Sequence, residues 1–179
     1  MKYESIADVF SANKKFREDL SAVLGQISPD EAAKTPDGEK WSIQQVAEHV
    51  SMVDFGLTRI CSKLLAAAKL ADKSSDGTLG LTPEFGTRVA GIAGRRLEAP
   101  ERVQPTGNVT IAETLERMAG NEKLFDAMRD DFERFDHSGE TFPHPFLGDL
   151  TAGEWLVMAG LHQKRHAKQI EDLAAKVRQ

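Results

Sequence analysis

At three places in this chain a serine or threonine three residues ahead of a glutamine or glutamate opens a run of apolar residues spaced three or four apart. Ser42 with Gln45, Thr110 with Glu113 and Thr151 with Glu154 read as capping boxes, in which the hydroxyl takes one free amide hydrogen of the first turn and the longer side chain returns to another. Behind Ser42 the stripe is Val46, Val50, Val53, Leu57, Ile60 and Leu64, reaching about Ala71; behind Thr110 it is Ile111, Leu115, Met118, Leu124, Phe125, Met128, Phe132 and Phe135, ending near Asp136. Behind Thr151 it is Trp155, Met158, Leu161, Ile170, Leu173 and Val177. An earlier stripe, Ile6 to Ile27, predicts a further helix that Ser28-Pro29-Asp30 breaks. No run alternates as a strand would, so helix-on-helix packing is the route to a core.

The fold class expected is therefore all-α, a four-helix bundle forming a single domain over residues 1–179. Residues 72 to 109 hold six of the 14 glycines and three of the seven prolines, with one short helix expected from Glu84 to Arg95. A connection of that length can cross the bundle, which predicts an up-down-down-up course with a long crossover between helices 2 and 3.

Charge and cysteine content narrow the function. With 23 basic against 28 acidic residues the chain has no overall basic surface for phosphates, so nucleic acid and polybasic membrane attachment are disfavoured. The single cysteine, Cys61, allows no intrachain disulfide and no thiolate cluster. Together with an amino-terminal segment, from Met1, that lacks an apolar signal core, this predicts a cytoplasmic protein without a membrane span.

Three histidines fall where the helical period expects apolar residues. His162 and His166 are four apart on the last helix, one turn above each other on the face of Trp155 and Leu173, and His49 lies between Val46 and Val53 on the second. A lone inward histidine is more often a hydrogen-bonded core residue than a ligand, and an i,i+4 pair alone is commonly a surface accident. All three together would leave several buried donors and acceptors to satisfy, and one shared cation does that in a single step. Three imidazoles with an open position suit zinc or another divalent transition metal. Arg165 and Gln169 flank the pair as candidates to orient a ligand or an imidazole. Gln163 stands where a metalloprotease helix needs its glutamate, so that chemistry is disfavoured. Cys61 lies too far along the helix from His49 to join it and reads as a small buried residue. His137 and His144 read as loop residues, Glu48 as a solvated helix residue and Glu154 as a cap, so no catalytic base is assigned.

Trp41-Ser42-Ile43 with Glu48-His49, then Phe146-Leu147-Gly148-Asp149-Leu150-Thr151 with Glu154-Trp155-Leu156, His162, Arg165-His166 and Gln169, resemble the DinB-like family of metal-binding four-helix bundles, which includes the YfiT-like proteins. The resemblance implies a divalent metal, zinc or nickel, on His49, His162 and His166, and often a homodimer. It also implies thiol chemistry: an S-transferase that joins a low-molecular-weight thiol to a small electrophilic substrate. The alternatives are a non-catalytic stress-related or ligand-binding bundle with a structural metal, and a metal-dependent hydrolase.

Overall fold

The structure, a computed structural model, describes residues 3–179; Met1 and Lys2, which open the segment read above as lacking a signal core, lie outside the described residues. Helix α1 spans Ile6–Leu24, α2 Pro29–Ala33, α3 Ile43–Ala71, α4 Phe85–Ile92, α5 Ile111–Asp126, α6 Arg129–Arg134 and α7 Ala152–Val177. A 3-10 turn covers Glu101–Val103, and strands β1 (Thr141–His144) and β2 (Gly148–Thr151) pair as an antiparallel hairpin. All three anticipated capping boxes form. Two more, Ser5 with Asp8 and Ser28 with Glu31, open α1 and α2.

The chain is predominantly helical and packs α1 against α7, α7 against α3, and α3 against α5. Three details differ from the sequence expectation. α1 ends at Leu24, with Gly25 as its cap, before the tripeptide expected to break it, and Ser28-Pro29-Asp30 instead starts a helix, because proline at the first helical position lacks only an amide that would be unbonded there. The helix predicted to run to Asp136 stops at Asp126: the amide of Met128 bonds three residues back to Phe125, and α6 restarts at Arg129. The segment before Thr151 forms the hairpin, which Pro143 and its four-residue strands hide from any search for alternation.

The core divides in two. Ile6, Phe10, Phe132, Leu150 and Trp155 belong to one apolar cluster, and Leu20, Leu24, Ile43, Val46, Ile170 and Leu173 to the other. Along the helices, a polar belt falls between them. Here Asn13 donates to the Leu156 carbonyl at 2.9 Å, Gln163 donates to Asp54 at 2.7 Å, Asn121 donates to the Ser51 carbonyl at 2.9 Å, and Arg17 pairs with Glu122 at 2.6 Å.

The belt requires a glycine. A Cβ on Gly160 would collide with the Asn13 side-chain oxygen, lie 2.8 Å from its Cγ and press on Phe16 at 3.1 Å. Overpacking there costs about 1–3 kcal/mol and loss of the Asn13 bond about 1, against a helix-propensity gain of about 1. Gly160→Ala is therefore expected to destabilise by about 2 kcal/mol, lowering Tm by about 4–8 °C. Gly120→Ala, on open surface of α5, should instead be neutral or stabilising. Equal Tm changes in the two variants would contradict a close α1–α7 approach at Gly160.

Candidate metal centre

Helices α3 and α7 bring the three predicted histidines together. Ring centroids lie 5.2 Å apart for His49 and His162, 5.2 Å for His49 and His166, and 4.4 Å for His162 and His166. One nitrogen from each falls within 4.8 Å of the others. His49 and His166 are buried and His162 partly so.

The hydrogen bonds decide which nitrogens are free. His49 Nδ1 is 2.7 Å from the Val103 carbonyl, and a carbonyl only accepts, so Nδ1 carries the proton and Nε2 the lone pair. His166 Nδ1 is 2.8 Å from Gln169 Oε1, with the same consequence. The Nε2 atoms of His162 and His166 face each other at 3.2 Å, close to the separation of about 3.3 Å between two nitrogens bonded to one tetrahedral ion at about 2.05 Å. His162 Nδ1 is buried without a hydrogen-bond partner. Either His162 donates across to His166 and leaves Nδ1 an unsatisfied acceptor, or two lone pairs oppose each other. A cation accepting both Nε2 lone pairs removes the conflict, and the donor set fits a divalent transition metal.

Electrostatics favour neutral, ligating imidazoles. Burial lowers all three pKa values below the usual histidine range, His166 to about 3 and His162 well down, and the nearby Arg165 guanidinium pushes each further. Arg165 itself is tethered, its Nη2 donating to the Arg95 carbonyl at 3.0 Å. Trp41 packs its ring 5.1 Å from that of His49.

A family model, that of the DinB superfamily, matches residues 12–170. The chain belongs to the DinB superfamily. It is 25% identical over 160 residues to the uncharacterized protein YuaE of Bacillus subtilis, spanning 86% of this chain and 90% of that one. The crystal structure of TT2238, a four-helix bundle protein, superposes with a TM-score of 0.59 at 20% identity, covering 92% of this chain and 96% of its own. That likeness establishes the all-α bundle. No helix among the described residues is long and apolar enough to cross a membrane.

Within this DinB-superfamily bundle, three residues depart from their sequence reading. Glu48 is 2% exposed rather than solvated: its carboxylate accepts from the Thr106 hydroxyl at 2.8 Å and the Gly107 amide at 2.7 Å. An acidic residue one position from a histidine carries no signal of this, because what caps its carboxylate arrives from 58 and 59 residues away. His137 is buried against Phe132, with neither ring nitrogen bonded. His144 packs its ring at a tilt 5.1 Å from that of Trp155 and accepts the Phe146 amide at 3.1 Å, and burial lowers its pKa to about 4. Glu154 does cap α7, and it also takes the Thr82 amide at 3.0 Å, tying the α3–α5 connection down. Cys61 is fully buried, as read.

Proposed function

We propose that this chain is a divalent-metal protein in which His49, His162 and His166 hold zinc or nickel, and that it acts as an S-transferase joining a low-molecular-weight thiol to a small electrophile. The observation that carries the reading is the meeting of three imidazole nitrogens, two of them fixed as lone-pair donors by bonds at the opposite ring nitrogen. Bound there, such an ion would supply a Lewis-acid position that lowers the pKa of a thiol, whose proton would pass to solvent at neutral pH. The protein's own groups prepare it. Val103 and Gln169 hold the Nδ1 protons and so the ring orientations; burial keeps the rings uncharged; Arg165, tethered to the Arg95 carbonyl, places a cation near the histidines. In the reaction the sulfur–carbon bond forms as the leaving group departs with its electron pair. The long helices are read as running up-down-down-up, with residues 72–109 as the crossover. Support comes from Asn13 reaching Leu156 and Arg178 reaching Gln26 at 3.2 Å, so that α1 and α7 advance together, while Asp54 to Gln163 sets α3 against α7.

The test is turnover of a model electrophile by metal-loaded protein offered several thiols. Acceleration that needs both the metal and a thiol, and that disappears on chelation, is expected. With no thiol effective, the transferase reading is lost. If chelation then lowers Tm sharply, the ion is structural and the chain a non-catalytic bundle.

A further inference from the structure

A buried carboxylate is costly unless donors surround it, and Glu48 has no cation paired with it among the described ion pairs. The described hydrogen bonds of its carboxylate both go to the far end of the α3–α5 connection, where Oε1 takes the Thr106 hydroxyl and Oε2 the Gly107 amide. One turn earlier on α3, Gln44 donates to the Gly107 carbonyl at 2.7 Å. Gly107 adopts φ +79°, a left-handed conformation that L side chains rarely adopt, and a Cβ there would lie 3.5 Å from Gln45. The turn at 106–108 is thus clipped onto α3 from both sides. Three residues before it, the Val103 carbonyl meets His49 Nδ1 at 2.7 Å. Pro105 stiffens the spacer, and Gln104, held extended before it at ψ 131°, completes a short, rigid arm.

We propose that Glu48 is a positioning residue for its neighbour His49: by clipping Thr106 and Gly107 it delivers the Val103 carbonyl to His49 Nδ1, fixing the tautomer and leaving Nε2 free for a metal. This rests on the metal reading of the histidine centre. It gives a task to a buried acidic side chain whose described partners are all donors from one distant turn. Both carboxylate oxygens are used as acceptors, so glutamine in its place would turn an amide group toward a donor.

The experiment uses the full chain with Glu48→Gln and, because a core change risks the fold, Thr106→Val on the exposed side of the same contact. In metal-free protein, ring-nitrogen NMR should show His49 held with its proton on Nδ1 in the parent and mixed between nitrogens in Glu48→Gln. Zinc affinity, measured by competition with a chelator, should fall about ten- to hundred-fold in Glu48→Gln and about three- to tenfold in Thr106→Val, as for loss of an outer partner of a ligating histidine. On a His49→Ala background, Glu48→Gln should change zinc affinity less than about twofold, because the arm then has no ring to hold. Parent-like tautomer and affinity in both variants would overturn the proposal, as would an equal affinity loss on the His49→Ala background, which would make Glu48 merely structural. Failure of the parent to bind zinc would instead sink the metal reading, leaving the tautomer comparison to decide the role of Glu48.

Discussion

His166→Ala is expected to lose zinc or nickel by more than the roughly 100-fold that marks the upper end for an outer partner, because it removes a ligating nitrogen rather than the group that orients one. His162→Ala should do the same. Metal at about a thousand times Kd stabilises a protein by about 4 kcal/mol, so the parent chain should gain about 8–16 °C in Tm on loading while either variant gains little. The metal-free variants should remain folded. The imidazoles they lack are poorly satisfied without an ion: His162 Nδ1 has no partner and its Nε2 confronts that of His166. The measurement is metal content by elemental analysis of protein purified without an affinity tag, together with Tm before and after loading. Metal retained at full stoichiometry by both variants would refute the three-histidine centre.

The second large effect belongs to Asp54. Burial between α3 and α7 pushes its carboxyl up to about 7, outweighing the Gln163 amide and the distant Arg17, which pull the other way. In the unfolded chain the same group ionises near 4, so between those values the folded state keeps a proton that the unfolded state has released. Stability therefore falls as pH rises through this window, by up to about 1.4 kcal/mol per unit, and levels off above about 7. Asp54→Asn removes the slope. It also suits the geometry: the carboxamide oxygen can still accept from Gln163, and the amide hydrogens face a belt in which Gln163 Oε1 has no partner. Denaturant unfolding at pH 5 and pH 8 should show the variant gaining on the parent by about 2–3 kcal/mol between the two. Parallel profiles would mean that Asp54 is ionised throughout, held so by its surroundings.

The helices and the histidines are legible in the sequence because both obey short-range rules. Capping boxes act over three residues and stripes over four, so Ser42, Thr110 and Thr151 announce α3, α5 and α7, and the i,i+4 spacing of His162 and His166 announces a shared face. His49 is placed by the same period. What escapes depends on contacts between distant segments. Glu48 looks solvated until Thr106 and Gly107 fold over it, and the Val103 carbonyl that orients His49 is a backbone atom with no residue-type signature. The burial of His137 and the half-burial of His144 accompany the packing of Phe132 and Trp155 on them, which a loop reading cannot anticipate. Gln169 stands out in the sequence only as a flanking residue, and its bond to His166 gives that position a physical task.

Cys61 has a bearing on durability. Its sulfur is sealed inside α3's packing, and burial pushes the thiol up to about 12, so almost no thiolate exists at neutral pH. A catalyst that handles alkylating compounds is ordinarily exposed to slow self-poisoning through its own cysteines. Here the one sulfhydryl among these 179 residues is both shielded and unreactive, so a proposed S-transferase built on this chain would spare itself the damage its substrates inflict elsewhere.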